Sequence, residues 1–410
     1  MTMNRIIGGA ATNWTSAGSN AIHPLFAYGF RPFFLASSGY AIVAMAAWMA
    51  ALLGLGLPPV ALNPIIWHGH EMLYGFASAG VAGFLLTVTP KWVKAGPVRG
   101  WMLAGLVAVW FAGRIVHWAS ALLPVAFVAV VDLSFLLLLA VIVTKPILAT
   151  GNKRQLILVP ILGAYWLGNL LIHLDLAGVG GTIGFTGLRL GAYALAIFVV
   201  IIGGRIIPSF TSNYLSAHGS RVKIVFNSRI DKVAMLATPI VLLADLFLAQ
   251  GVTSGFLFLA LALVHFKRLL NWHPLSTRSE PILWVLHAGY LWLAVSFALI
   301  ALADLSHLLP RMEAFHGLTV GAIGSLMLGV MSRAALGHTG RLTIASPAMV
   351  LAYGMINAAA LTRIVALAVP SFDAMTMLLA SGTLWIGAFA LFVWVYTPIL
   401  ARPRVDGQAG

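Results

Sequence analysis

The chain has no cysteine in its 410 residues. That excludes disulfides, thiolate metal sites, S-nitrosation and covalent haem attachment through a Cys-x-x-Cys-His sequence. Any metal or haem must be held by other side chains alone. Charge is scarce too: charged residues make up 8% of the chain against 61% hydrophobic. That is too little polar surface to cover a water-soluble globule. Acidic residues are the rarest class, 10 against 24 Lys and Arg, for a net charge of +14. No compact basic region carries this excess, which argues against nucleic acid as a partner. Alternation with a period of two is also missing, so the apolar runs are not strands of a β-barrel.

What is present is long apolar sequence. Twelve stretches lie at roughly 33–55, 66–88, 100–120, 124–143, 156–176, 186–206, 233–249, 252–270, 282–303, 314–332, 346–369 and 374–400. Most approach or exceed the ~20 residues a helix needs to cross the hydrocarbon core. The expected fold is all-α, a polytopic membrane bundle of about twelve transmembrane helices.

The basic residues orient this bundle. With the N-terminus inside, every Lys and Arg except Arg114, Arg189, Arg311 and Arg363 falls on the cytoplasmic side. Positive loops stay in the cytoplasm, so both termini are expected there, with the excess charge facing anionic lipid headgroups. The chain then divides into a cytoplasmic segment 1–32, a transmembrane half 33–206, a basic cytoplasmic connection 207–232, a second half 233–400 and a tail 401–410. No signal peptide is expected, because the first apolar run is long enough to remain as a span.

An ionisable side chain inside a bilayer costs about 2.5–3.5 kcal/mol and so marks function by default. Most such residues fall in one layer near the outer helix ends: His68, His70, Glu71, Arg114, His117, Asp132, His173, Asp175, Arg189, Asp245, Asp304, His307, Glu313, His316 and Arg363. The densest cluster is WHGHEM, residues 67–72. On a helix His68 and Glu71 project about 60° apart on one face, whereas His70 points roughly 160° from His68, towards another neighbour. These residues are either an interfacial cap or imidazole ligands for a metal or haem iron completed by other helices.

His173, in NLLIHLD, is open to the same two readings. His316 opens a stretch in which Gly317, Gly321 and Gly324 give small-residue spacing, suited to close helix packing or to a planar porphyrin. His287 lies deeper, with no evident local partner. Arg114, Arg189 and Arg363 pair either with acidic side chains or with the carboxylates of a cofactor. Met72, four residues after His68, is the one methionine retained as a copper ligand. Towards the cytoplasm, FAYGFRPFFL (26–35) carries Arg31. SRAALGHTGR (332–341) joins Arg333, His338 and Arg341 in a loop suited to an anion or to snorkelling cations.

Together FAYGFRPFFL (26–35), WHGHEM with GFLLT (67–72 and 83–87), GGRIIPSFT (203–211), LHAGYLW (286–292) and HGLTVGAIGSLMLGVMSRAALGHTGR (316–341) resemble the NnrS family. The remaining helices match it only in being apolar. The resemblance implies a twelve-span protein of the bacterial inner membrane, containing non-covalent haem b and copper, of the response to nitric oxide in denitrification or nitrosative stress. It implies metal or haem ligands among His68, His70, His173, His287 and His316, without dividing them between the two. The expected division is two histidines on facing helices for haem, and His68, His70 and Met72 for copper, with Glu71 as orienter or proton carrier.

Nitric oxide, membrane lipid and an electron donor or respiratory membrane enzyme are the partners implied. A twelve-helix secondary transporter using the outer charged residues is the competing expectation. Against it, the loop TPKWVKAGPVRG (89–100) lacks the acidic-plus-basic signature of the major facilitator class. A role in assembling or supplying metal to another membrane enzyme is a third.

Overall fold

The computed structural model describes residues 22–152, 154–226, 228–306, 308–368 and 373–408. Arg5, Lys153 and His307 lie outside the described residues, as does most of the expected N-terminal segment. Among the described residues there are helices, turns and no strand. Among the described residues eleven helices are long and apolar enough to cross a membrane. They are α1 (Phe30–Leu52), α2 (Pro64–Val93), α3 (Trp101–Trp118), α4 (Val125–Ala149), α5 (Leu158–Leu176), α6 (Ile183–Ala217), α8 (Val252–Leu270), α9 (Pro281–Ser306), α10 (Arg311–His338), α11 (Pro347–Ala366) and α12 (Ala374–Leu400).

The twelfth expected span is α7 (Arg229–Asp245), with 17 residues. At 1.5 Å per residue it is about 25 Å long, short of a ~30 Å hydrocarbon core. The connection between the halves is also shorter than 207–232. Helix α6 runs on to Ala217, because residues 204–217 form an amphipathic helical segment, Pro208 included, that hydropathy alone reads as a loop.

Three helices are interrupted by π-helical segments: Glu71–Ala77 in α2, Val199–Gly203 in α6 and Gly317–Gly324 in α10. They are the central ones. The most apolar windows of α2, α6 and α10 are 83%, 67% and 67% buried, against 33% for α3, α4 and α12. A π turn hydrogen-bonds i to i+5 and leaves backbone carbonyls to be satisfied elsewhere. In α2 they are: the Tyr165 hydroxyl of α5 donates to the Leu73 carbonyl, Trp110 Nε1 of α3 to Gly75 at 3.1 Å, and the Ser37 hydroxyl of α1 to Phe76 at 2.9 Å. In α6 the guanidinium of Arg268, from α8, donates to the Val200 carbonyl at 2.9 Å. The interruptions in α2 and α6 are thus tied down by neighbouring helices.

The small-residue face of α10 is a packing face. A methyl at Gly321 would fall 2.7 Å from the Trp292 ring, one at Gly324 2.8 Å from Trp385, and one at Gly317 3.1 Å from Ser296. Side chains of α9 and α12 already fill the space that a porphyrin would need there.

Candidate metal centre and adjoining cavity

Asn63 and Pro64 start α2. The Asn63 side chain accepts from the Ile65 N–H at 2.9 Å, and Pro64 supplies the fixed φ of a first helical residue. The start sets the phase of His68-Gly69-His70. Two residues along an α-helix turn the side chain by about 200°, so His68 and His70 look into different parts of the bundle. From Glu71 the helix is π, and its wider turn carries Glu71 to the His70 side. Glu71 therefore does not share a face with His68, contrary to the α-helical projection.

His70 meets His117 of α3 and His173 of α5. One ligand nitrogen from each lies within 4.8 Å of the others, and all three residues are buried. The His70 and His117 rings stack, with centroids 3.8 Å apart and planes 7° from parallel, and His173 stands edge-on to both at 5.9 Å. Carboxylates orient the rings. Glu71 Oε1 is 2.9 Å from His70 Nδ1 and 3.0 Å from His117 Nδ1. Asp132 Oδ2, from α4, is 2.9 Å from His173 Nε2 and 3.2 Å from His70 Nε2. Asn169, one helical turn before His173, donates to Asp132 at 2.8 Å, and its Oδ1 is 2.9 Å from His70 Nε2.

Arg114 closes the cluster from α3, one turn before His117. It donates to Glu71 at 2.9 Å and, through a short contact, to Asp132. The Tyr40 hydroxyl caps the other Glu71 oxygen and itself receives Trp118 Nε1 at 2.7 Å. Among the described residues no hydrogen bond reaches either ring nitrogen of His117 or Nδ1 of His173, so the 3.0 Å approach of Glu71 to His117 is a charge contact only. Two carboxylates and one guanidinium surround the three imidazoles. Ring nitrogens of His117 and His173 without hydrogen bonds, beside imidazoles oriented by carboxylates, are chemistry suited to a metal cation.

His68 faces elsewhere. Its ring stacks on Trp48, centroids 4.5 Å apart, at the wall of a 520 Å³ cavity that Met72, Arg189, Arg311, His316 and Arg363 also line. His316 donates Nδ1–H to the Met312 carbonyl at 2.9 Å, which fixes the tautomer with an Nε2 lone pair. Among the described residues His68 Nδ1 is buried without a partner. The arginines at the cavity carry acidic partners: Arg363 pairs with Glu313, Arg189 with Asp245, and Arg311 with Asp245 at 2.5 Å and Asp304 at 3.0 Å.

The structure therefore brings together some of the residues expected to act and separates others. His70 and His173 share a cluster with His117, a member of the outer polar layer to which the sequence assigned no role. His68 and Met72 belong to the cavity and not to that cluster, so a copper site of His68, His70 and Met72 is not formed. Arg114 is committed to Glu71 and Asp132, away from the cavity. His287 stands apart from both sets, with Nε2 2.9 Å from the Thr211 hydroxyl.

The remaining motif residues are structural ties at the opposite end. Arg31 donates to the carbonyls of Leu400 and Arg402, both at 2.7 Å. Arg333 lies 4.0 Å over the Phe210 ring, His338 Nδ1 is 3.1 Å from Lys91 Nζ, and Arg341 reaches the Thr339 carbonyl. The sequence signal for the cluster was spacing: Arg114/His117 and Asn169/His173 are i,i+3 and i,i+4 pairs, each on one helix face.

The family profile described as NnrS protein matches residues 24–404. A comparison with curated proteins gives no match.

Proposed function

The chain belongs to the NnrS family, and on that premise we propose that it is a haem- and copper-containing protein of the bacterial inner membrane that acts in the response to nitric oxide. Copper would be held by His70, His117 and His173. Haem b would occupy the cavity, held by His68 and His316, with Arg189, Arg311 and Arg363 at its wall, each of which would share its guanidinium between its acidic partner and a cofactor carboxylate. The observation that carries this reading is the His68-Gly69-His70 segment, which serves two histidine sites on opposite faces of one helix.

The residues fit both groups. A histidine whose other ring nitrogen donates to a backbone carbonyl, as His316 does to Met312, has the orientation that iron ligation requires. At the three-histidine cluster the donors are imidazole nitrogens, a ligand type that suits copper. When bound, haem iron and reduced copper supply affinity for nitric oxide, which is small and apolar enough to concentrate in lipid.

The protein's own work is orientation and charge. Glu71 bonds His70 Nδ1 and lies 3.0 Å from His117 Nδ1, placed to accept a proton there. Asp132 orients His173, and Arg114 bridges both carboxylates. Both termini would lie in the cytoplasm, which puts the histidine end at the periplasmic face, open to an electron donor or respiratory partner in the same membrane.

The test is elemental analysis with optical and electron-paramagnetic spectra of the purified protein, with and without nitric oxide. Soret absorbance and copper, both perturbed by nitric oxide, are the expected result. A sample with neither haem nor a transition metal ends this reading.

A further inference from the structure

A second cavity, of about 60 Å³, lies deeper, where α2, α6 and α10 meet. Phe34, Phe84, Phe198, Met327 and Val330 are among the residues of its wall, and Ile323 lines both this cavity and the larger one. Among the described residues no ionisable or hydroxyl side chain lines it. The π segments contribute Val199, Ile202 and Gly203 from α6 and Ile323 from α10. The bond from Arg268 to the Val200 carbonyl holds the α6 segment in place. Unfilled apolar space costs stability, and this cavity adjoins the part of the bundle whose backbone departs from the α-helix.

The wall chemistry selects the occupant. Water needs two to four polar partners and room for at least one molecule. This cavity has the room, but its side chains offer no such partners. Apolar cavities of roughly 150 Å³ accept benzene or xenon. At less than half that volume, this one has room for a single molecule of about diatomic size.

We propose that the lower cavity is a docking site for one apolar diatomic gas molecule, held between the bilayer and the larger cavity and separated from the latter by Ile323. That the gas is destined for the larger cavity rests on the function proposed above; occupancy of the lower one does not. The Ile323 side chain is then the partition a molecule must pass, and Val330 and Met327 set the space in which it waits.

The test uses the full-length protein. Crystals pressurised with xenon are expected to show an anomalous peak bounded by Phe84, Phe198 and Met327, and to lose it in Val330→Phe. If Val330→Phe does not accumulate, Val330→Leu narrows the same space and is expected to lower the xenon occupancy at least twofold. Ordered water in the cavity, or a peak unaffected by these substitutions, overturns the proposal. On haem-containing protein, flash photolysis of bound carbon monoxide is expected to show a concentration-independent rebinding phase that shrinks at least twofold in the filled variant. An unchanged phase overturns the staging role. A xenon peak in protein that holds no haem leaves the docking site intact and removes the destination.

Discussion

The imidazoles of His70 and His117 lie face to face, 3.8 Å between centroids, although they come from different helices 47 positions apart in the chain. Neutral rings can stack so, but two imidazolium rings at that distance would repel. Glu71 reaches the Nδ1 atoms of both, and among the described residues His117 Nε2 finds nothing. His117→Ala is accordingly expected to abolish copper binding while leaving the haem spectrum of the cavity intact. Copper analysis beside the Soret band of the same sample measures both. Parallel loss of the two would mean that the sites are not separate.

His316→Ala should do the reverse. It removes the imidazole whose Nδ1–H is anchored on Met312, along with its Nε2 lone pair, and should lower haem content at least tenfold with copper retained. His68→Ala should alter the spectrum and coordination state of the haem, and leave the three-histidine cluster populated. His287→Ala should change neither, because that ring bonds Thr211 away from both sets.

Arg114 is the single cation between two buried carboxylates. Removing one partner of a buried ion pair leaves an uncompensated charge, at a cost of about 3–5 kcal/mol. Arg114→Ala is expected to lower thermal stability in detergent by that order. Arg114→Lys should recover only part of it, because an ammonium cannot bridge Glu71 and Asp132 in the planar, forked way a guanidinium does.

The Tyr165 hydroxyl satisfies a carbonyl freed by the π segment of α2. Tyr165→Phe leaves that buried acceptor without its donor, at about 1–3 kcal/mol. The segment carries Glu71, so the variant should weaken copper retention during dialysis against a chelator as well as lowering the melting temperature. A stability loss with unchanged copper retention would show that the π segment does not position the site.

Hydropathy makes the spans legible because a continuous apolar run and a lipid-facing helix are nearly the same observation. It fails at α7 and at residues 207–217, where length and amphipathicity decide and mean apolarity does not. The opposite directions of His68 and His70 follow from a helical step of about 100°. The position of Glu71 does not, because nothing in EMLYGFA announces that the helix changes to π there; donors from α1, α3 and α5 stabilise it. The three-histidine cluster was hidden for a similar reason. Its members lie on α2, α3 and α5, and only packing brings His117 and His173 to His70. The arginines could be recognised as pair-forming, yet which acid each takes depends on helix neighbours that the sequence does not order.

Copper K-edge X-ray absorption on the reduced, full-length protein tests the central claim most directly. A ligand shell of imidazole nitrogen without sulphur is the predicted result, since His70, His117 and His173 converge while Met72 lines the neighbouring cavity. A thioether sulphur in the first shell, or a copper signal that survives loss of His117, would contradict it.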